Sequence, residues 1–395
     1  MTLPRVAQSP QDPGFVQDPY PFYDHIRQTG AWVFWEDYDL PCATTLPLVN
    51  ALLRDRRLGR ENPFPDAVPA HLEPFYQIER YSMLELEPPT HTRLRGLVMR
   101  AFTSRKIAGL GPQITALAHE LLDEMPAGEV DLLPTFCERI PVIVICRLLG
   151  VPEDAAPQLL SWSHDMVAMY QARRDRAVEE RAVAASIAFD RYLRELIEER
   201  RADPREDLLS DLIKVEEDGD RLSTAELVST MILLLNAGHE ATVHALGNGI
   251  KAICERGLGP EVPKMDAPVL ADEVMRFDPP LHLFTRYAME DVELEGMSLQ
   301  KGEQVGLLLG AANRDPDVFP SPHSFIPDRL AGAHVALGAG LHFCVGAPLA
   351  RLEIARSLPV LFSRFPNLTP SEPLKFADRY HFHGLERLPV KLKPL

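Results

Sequence analysis

Hydrophobic and polar positions follow a helical period through the middle of the chain, between two parts that are richer in proline. This spacing predicts helices at about 90–102, 107–124, 134–149, 154–171 and 175–203. Apolar pieces at Ala31–Trp35 and Cys42–Leu46 predict a strand pair. Residues 60–80 are predicted as a long proline-rich loop, and residues 285–310 alternate and break like short strands. We therefore expect a mainly α fold with a minor β part.

The longest helical run begins at Ser223 and continues to Arg256. Glu226 stands three residues after Ser223, which is the spacing of a capping box at a helix N-terminus. Because the middle of this run is apolar on nearly every side, we expect a long central helix that crosses the interior. The segment Ala237–Thr242 interrupts that apolar middle with a glycine and polar side chains, and a ligand or a reaction is expected at such a break.

The composition indicates a globular chain with an acidic balance. Hydrophobic residues make up 46% and charged residues 25% of the 395 positions, which excludes an intrinsically disordered chain. The 41 basic and 57 acidic side chains give a net charge of −16, which argues against non-specific binding to nucleic acid or to an anionic membrane. The N-terminus shows no secretory signal, and the run Ile140–Cys146 is too short to cross a bilayer, so we expect a cytoplasmic protein.

Five widely spaced cysteines without a Cys-x-x-Cys pair disfavour a disulfide framework, a structural zinc site and a four-cysteine iron–sulfur cluster. One of them, Cys344, lies in the glycine-rich segment Leu337–Gly346, just before the predicted helix Ala347–Phe362. Glycines let the backbone approach a flat ligand, and a helix N-terminus favours a thiolate. From this segment alone, a ligand-binding thiolate and a structural buried cysteine are equally open. A phosphate loop is disfavoured because the Lys-Ser/Thr pair is missing.

Two pairs of side chains add to this picture. Glu273 and Arg276 share a helix face at spacing i, i+3, and His91 and Arg95 do so at spacing i, i+4. The second pair is a suitable geometry for a bound carboxylate. Taken singly, each pair also fits an ordinary surface arrangement.

Together and in this order, the segments resemble the cytochrome P-450 family of haem-thiolate monooxygenases over nearly the whole chain. Ala237–Thr242 matches the family's Ala/Gly-Gly-x-Asp/Glu-Thr pattern with one change, and Glu273 with Arg276 matches its Glu-x-x-Arg motif. Phe325–Arg329 matches the stretch whose arginine joins that pair. The Cys344 segment matches the family's cysteine signature, except that a leucine at position 337 replaces phenylalanine.

The resemblance implies a role for each matching position. Cys344 would be the axial thiolate of haem b, iron protoporphyrin IX, and Glu240 would take part in proton delivery to dioxygen. Cationic donors would hold the two haem propionates. The implied cofactor-binding residues are His91, Arg95, Ala237, Arg286, His342 and Cys344. The implied catalytic group consists of Glu240, Ala241 and Thr242. Glu273, Arg276 and Arg329 would form a buried structural network. His239 is expected to be structural or solvent-facing, and the other four cysteines are expected to be inert core thiols.

The chain departs from the family where a threonine usually follows the acid. Here Ala241 takes that place and Thr242 comes one residue later. One residue of helix turns a side chain by about 100°, so Thr242 is not expected to substitute simply. A substrate hydroxyl or an ordered water would then replace the missing hydroxyl.

The implied function is oxygenation by one domain, residues 1–395. The enzyme would activate dioxygen with externally supplied electrons and hydroxylate or epoxidise a small, largely hydrophobic substrate. A ferredoxin and its NAD(P)H-dependent reductase are the expected electron supply. An acidic ferredoxin would dock on a basic patch formed by Arg93, Arg100, Arg105, Lys106 and Arg351. Candidate substrate-pocket residues are Leu233, Ala237, Leu283, Phe284 and Phe382, with one of His381 and His383.

Two alternatives remain at this point. Ala241 would suit a peroxide-using or dehydrating haem-thiolate enzyme, although the intact acid Glu240 favours a proton relay. The other alternative is a haem-binding sensor or carrier without turnover.

Overall fold

The structure is a computed structural model that describes residues 3–170, 174–215, 220–329, 334–378 and 382–392. Its contacts divide the chain into two compact units. The mixed unit comprises Met1–Pro63, Gly111–Glu138 and Ala241–Leu395, and the helical unit comprises Phe64–Leu110 and Arg139–Glu240.

Helices form most of the regular structure, which confirms the predicted mainly α fold with a minor β part. The helices are α1 (Pro13–Gln17), α2 (Tyr20–Thr29), α3 (Leu46–Arg54), α4 (Glu73–Glu79), α5 (Thr90–Ala101), α6 (Ser104–Gly109), α7 (Gly111–Asp123), α8 (Arg139–Leu149), α9 (Ala156–Val167), α10 (Arg176–Ala202), α11 (Leu208–Lys214), α12 (Thr224–Glu255), α13 (Ala267–Phe277), α14 (Leu309–Ala312) and α15 (Ala347–Arg364).

The strands of the described residues all belong to the mixed unit. They are β1 (Arg5–Val6), β2 (Trp32–Trp35), β3 (Leu40–Ala43), β4 (Leu58–Gly59), β5 (Gly128–Asp131), β6 (Leu283–Ala288), β7 (Val292–Leu294), β8 (Met297–Leu299), β9 (Gln304–Leu308) and β10 (Pro389–Leu392). Six of them form a sheet in the order β1-β2-β3-β9-β6-β4, and β10-β5 and β7-β8 form two small pairs. Along β9, Val305 and Leu307 enter one buried cluster and Leu308 enters another, as the alternation of a strand requires.

The predicted strand pair near the N-terminus is confirmed with a shifted second strand. β2 and β3 are antiparallel and pair Trp32 with Ala43. Leu46, expected in the second strand, instead begins α3, where Pro47 occupies the first turn. Proline is tolerated there because the first N–H groups of a helix have no partner within the helix.

The prediction of a structureless loop over residues 60–80 is wrong for α4. The proline content suggested a loop, but Pro74 lies in the first turn of this helix. The predicted helix 107–124 is in fact two, because α6 ends at Gly109 and α7 begins at Gly111.

The long central helix is confirmed. The Ser223 hydroxyl accepts from the Glu226 N–H at 3.3 Å, and the Glu226 carboxylate accepts from the Ser223 N–H at 2.8 Å, which completes the capping box. The backbone of α12 continues unbroken through Gly238, so the predicted interruption concerns its side chains alone. A Cβ at Gly238 would lie 3.2 Å from Ile145 Cγ1, so this glycine lets α8 pack closely. Among the described helices, none is both long and apolar enough to span a membrane.

Candidate active site

The Cys344 loop, residues Leu337–Gly346, lies in the mixed unit and leads into α15. The Cys344 N–H donates to the Leu337 carbonyl at 3.0 Å, which closes the loop on itself. Gly346 is the N-cap residue of α15, so the Cys344 sulfur stands just ahead of a helix N-terminus. The positive end of the helix dipole favours a negatively charged sulfur at this place.

Glycine is required for the shape of the Cys344 loop. Gly338 and Gly340 have φ angles of +70° and +67°, in the left-handed region that side chains disfavour. A Cβ atom at Gly340 would also lie 2.4 Å from the Leu53 carbonyl oxygen of α3, closer than atoms can approach. The loop therefore packs against α3 through a backbone that carries no side chain.

Cys344 differs from the other four cysteines in exposure. Cys344 is half-buried, whereas Cys42, Cys137, Cys146 and Cys254 are buried. Burial raises the pKa of Cys42, Cys146 and Cys254 to about 12, and it raises the pKa of Cys137 as well. These four are core thiols, as expected.

A buried cation lies near the Cys344 loop. Arg286 on β6 is 2% exposed, and its guanidinium lies 6.0 Å from the ring centre of Phe284. The Phe284 ring in turn lies 3.6 Å from the position that a Cβ of Gly338 would take. His342 is half-buried in the same loop. Three of the predicted cofactor-binding residues thus belong to one region of the mixed unit.

The other predicted cofactor-binding residues lie in the helical unit. On α5, His91 is fully buried and Arg95, one turn later, is half-buried. Their spacing puts both side chains on the same face of the helix. Ala237, on α12, is exposed.

Glu240 on α12 is held by two histidines of the helical unit. Its Oε1 atom lies 3.1 Å from Nε2 of His164, on α9, and 3.5 Å from Nε2 of His239. Burial opposes ionisation of Glu240, but the two imidazoles outweigh it and hold the pKa of this carboxyl well below its usual range. His239 is buried, and it faces the acid rather than the solvent.

Thr242 and Glu353, on α15, are both buried in the mixed unit. Neither carboxyl oxygen of Glu353 has a hydrogen-bond partner among the described residues, although the Thr242 hydroxyl is near enough to affect the pKa of Glu353. Ala241, at the usual threonine position, is half-buried. Because one residue of helix turns a side chain by about 100°, Thr242 is still not expected to replace the missing threonine simply.

Glu353 makes the stability of the protein depend on pH. Burial raises the pKa of Glu353 well above its ordinary value, although the Thr242 hydroxyl opposes the shift. Between the pKa of the unfolded state and that of the folded state, the folded protein therefore binds the extra proton. Stability consequently falls as the pH rises through this window.

We expect Glu353→Gln to remove this pH dependence, because glutamine is neutral at every pH. The free energy of unfolding should be measured with urea on the holoprotein between about pH 5 and pH 8. As the pH rises, the variant should become more stable relative to the native protein by up to about 1.4 kcal/mol per pH unit. Glu120→Gln, on the exposed side of α7, is the control and should follow the native curve. Parallel curves for Glu353→Gln and the native protein would contradict the assignment.

The predicted network of Glu273, Arg276 and Arg329 is confirmed. Arg276 donates to both oxygens of Glu273, at 2.7 and 2.8 Å, and Arg329 donates to Glu273 at 3.1 Å. The Glu273 side chain is 1% exposed and that of Arg276 is 2% exposed. Arg276 also donates to the Asn313 carbonyl, and the Asn313 side chain accepts from the Val335 N–H at 2.8 Å, two residues before the Cys344 loop. Through Asn313, the network therefore holds in place the backbone that leads into the Cys344 loop.

The candidate pocket residues differ in exposure. Leu233, Phe284 and Phe382 are half-buried, and Leu283 is buried. His381 lies outside the described residues. His383 is buried against Phe376, and burial, reinforced by Arg314, lowers its pKa to about 3, so this ring is neutral.

The predicted basic patch is partly wrong, because acids already compensate three of its charges. Arg93 pairs with Glu226 and Asp220, Lys106 pairs with Asp211, and Arg351 pairs with Asp272. The remaining residues, Arg100 and Arg105, are exposed in the helical unit.

Two residues of the site have no signal in the sequence motifs. His164 lies 76 positions before Glu240, a separation at which no helical or motif spacing applies. Glu353 could have been noticed as an acid on an otherwise buried stretch of α15, but its neighbour Thr242 could not.

Known proteins are similar to this chain over almost its whole length. The family model of cytochrome P-450 matches residues 268–393. The chain is 35% identical to 6-deoxyerythronolide B hydroxylase of Saccharopolyspora erythraea over 96% of this chain and 97% of that protein. It is 40% identical to vitamin D(3) 25-hydroxylase of Pseudonocardia autotrophica over 79% of this chain and 78% of that protein.

A solved structure is similar to this chain over almost its full length. It is a cytochrome P-450 in complex with an acyl carrier protein ligated to hexadec-9Z-enoic acid, with a TM-score of 0.89 and 30% identity over 96% of this chain and 99% of that one. The chain therefore belongs to the cytochrome P-450 family, as a haem b-dependent monooxygenase of small organic molecules.

Proposed function

We propose that Cys344 would ligate the haem iron and that Arg286 and His342 would bind the haem propionates. The residues present fit an iron porphyrin with two carboxylates. The half-buried sulfur stands at a helix N-terminus, glycine keeps side chains off the loop, and a buried guanidinium lies nearby. The propionate role of His91 and Arg95 and the haem-lining role of Ala237 rest on the motif match and remain predictions.

Haem b, when bound, supplies the activation of dioxygen and the transfer of one oxygen atom to the substrate. The chain's own residues supply ligation and protons. Cys344 donates electron density as a thiolate. Glu240 is ionised and lies 3.1 Å from His164, whose side chain is 51% exposed, so a proton from solvent can reach this carboxylate through one imidazole.

The enzyme takes its electrons from redox partners, and we propose a ferredoxin with an NAD(P)H-dependent reductase. Arg100 and Arg105 are the exposed cations of the predicted docking surface. We further propose that residues 1–395 act as one functional domain in the cytoplasm, which suits five cysteines of which none forms a disulfide.

Ala241 favours a second candidate, a peroxide-using haem-thiolate enzyme, because the hydroxyl that usually follows the acid is absent. The intact acid Glu240 favours the monooxygenase. Comparing turnover in the reconstituted electron-transfer chain with turnover in hydrogen peroxide alone distinguishes the two. Product formation with peroxide alone, and none with NAD(P)H, would overturn the monooxygenase proposal.

We expect the substrate to replace the missing hydroxyl. Activation of dioxygen by the haem would require a hydrogen-bond donor and an ordered water, and neither Ala241 nor Thr242, one residue farther along the helix, is expected to supply the donor simply. Product formed per NAD(P)H should therefore be higher for a substrate with a hydroxyl or carbonyl near the oxidised carbon than for a matched substrate without it. Ala241→Thr should raise this ratio for the second substrate more than for the first.

Thr242→Ala is the comparison variant for this experiment. Because Thr242 is turned by about 100° from the usual threonine position, the loss of its hydroxyl should change the coupling ratio little. Equal coupling of the two substrates in the native protein would exclude assistance by the substrate. A large loss of coupling in Thr242→Ala would instead assign the role to the neighbouring hydroxyl.

A further inference from the structure

Three metal-ligating side chains meet in the helical unit, where α9 contacts α12. They are His164, His239 and Glu240, and one ligand atom of each lies within 4.8 Å of the other two. We propose that these residues form a binding site for a divalent zinc ion, distinct from the haem ligand Cys344. Zinc binding at this site would be independent of the oxygenation reaction, because it depends only on the three side chains.

The distances match those of a tetrahedral ion. Ligands about 2.0–2.1 Å from a tetrahedral zinc ion lie roughly 3.3–3.4 Å from one another. Oε1 of Glu240 lies 3.1 Å from Nε2 of His164 and 3.5 Å from Nε2 of His239, so both separations are close to that value. The ligand nitrogens of the two histidines lie within 4.8 Å of each other, so a rotation of the exposed His164 side chain would complete the set.

The tautomer of His239 presents a lone pair to the site. Its Nδ1 lies 2.7 Å from the Leu235 carbonyl oxygen, which can only accept, so Nδ1 carries the hydrogen. In the neutral ring, Nε2 is then unprotonated. This atom is buried and has no hydrogen-bond partner within the described residues. A backbone carbonyl that fixes the far nitrogen of a metal-binding histidine is a recurrent feature of zinc sites.

The facing groups require a cation between them. Nε2 of His239 and the carboxylate of Glu240 face each other at 3.5 Å, and without a proton or another cation between them both are acceptors. Either a proton or a metal ion can satisfy both. Two imidazoles and a carboxylate are a donor set that zinc prefers, and they leave a fourth position open for water.

The site is accessible from solvent through His164, whose side chain is 51% exposed. An ion can therefore enter and leave without unfolding of the helical unit. Bound zinc would occupy Glu240 and displace the proton that this carboxylate exchanges, so the ion would inhibit oxygenation if Glu240 delivers protons as proposed. Binding itself does not depend on that role.

A second cluster, Asp278, His282 and His383 in the mixed unit, is less suitable for a cation. Asp278 already accepts from the Tyr20 hydroxyl at 2.6 Å, and the positive charge of Arg314 acts on both histidines. A nearby guanidinium disfavours a dication.

The test is calorimetric titration of zinc chloride into the untagged holoprotein. The native protein should bind one zinc ion per chain saturably, and His164→Gln and His239→Gln should each weaken binding by at least about tenfold. The exposed His119→Gln on α7 is the matched control and should bind as the native protein does. Because His164 is at the surface, its variant tests the site even if His239→Gln fails to fold.

Thermal unfolding gives an independent readout. Zinc should raise the melting temperature of the native protein and of His119→Gln, and it should not raise that of His164→Gln, since an ion that binds only the folded state stabilises it. Absence of saturable binding in the native protein would overturn the proposal. So would equally tight binding in both His164→Gln and His239→Gln, which would assign the zinc elsewhere, and its loss in His383→Gln would identify the second cluster.

Discussion

Cys344→His is expected to lower monooxygenase activity by at least about a hundredfold while the protein still binds haem. A thiolate donates electron density that favours cleavage of the O–O bond, and a neutral imidazole donates much less. The reduced carbon-monoxide complex of the native protein should absorb near the wavelength that gives the family its name. In the variant, the band should move to the position seen in histidine-ligated haem proteins.

Cys254→Ala is the control for this substitution. Cys254 is buried, and burial raises its pKa to about 12, so it is neither a thiolate nor accessible to a ligand. Its variant should keep the native band and activity. An unchanged band in Cys344→His would refute the assignment of the ligand, whereas a shifted band with full activity would refute the role of the thiolate in oxygen activation.

The Cys344 loop could be predicted because all of its determinants are local. Two glycines with positive φ, a cysteine and a helix N-cap follow one another within ten residues, and each imposes its conformation through its own chemistry. The central helix was predictable for the same reason, since the capping box of Ser223 and Glu226 and the apolar period are both short-range features. Glu273 and Arg276 are three residues apart on one helix face.

The side chains that come together across large sequence separations could not be predicted. His164 approaches Glu240 because α9 packs beside α12, and no spacing in the sequence encodes this contact. The same holds for Thr242 and Glu353. The basic patch was overestimated for a related reason, because the acids that compensate Lys106 and Arg351 lie on other segments.

The contacts of Glu240 in the structure add information that the motif match does not contain. The motif match identifies Glu240 as the family acid and Ala241 as a departure from the family. It does not give the side chains that contact this acid. In the structure, two imidazoles hold this carboxylate ionised, and one of them reaches solvent. If Glu240 delivers protons as proposed, they can arrive from the side of His164, and the absence of the neighbouring threonine would remove only the donor beyond the acid.

Glu273→Gln is expected to cost about 3–5 kcal/mol of unfolding free energy, because it leaves the buried guanidinium of Arg276 and the half-buried one of Arg329 without their carboxylate. Arg276 would keep its bonds to carbonyl groups, and Arg329 would keep those to Pro320 and Ser321, but neither positive charge would be neutralised. The loss should be measured as the shift of the urea midpoint of the holoprotein.

Glu36→Gln is the matched control, since Glu36 accepts from Arg5 at the same distance of 2.7 Å. The side chains of this pair are 60% and 43% exposed, so solvent screens the interaction and its loss should cost less than about 1 kcal/mol. The buried network also reaches the Cys344 loop through Asn313. Glu273→Gln should therefore lower the fraction of protein that shows the thiolate carbon-monoxide band, and Glu36→Gln should not. Equal midpoints and equal bands in the two variants would show that the network contributes no more than a surface ion pair.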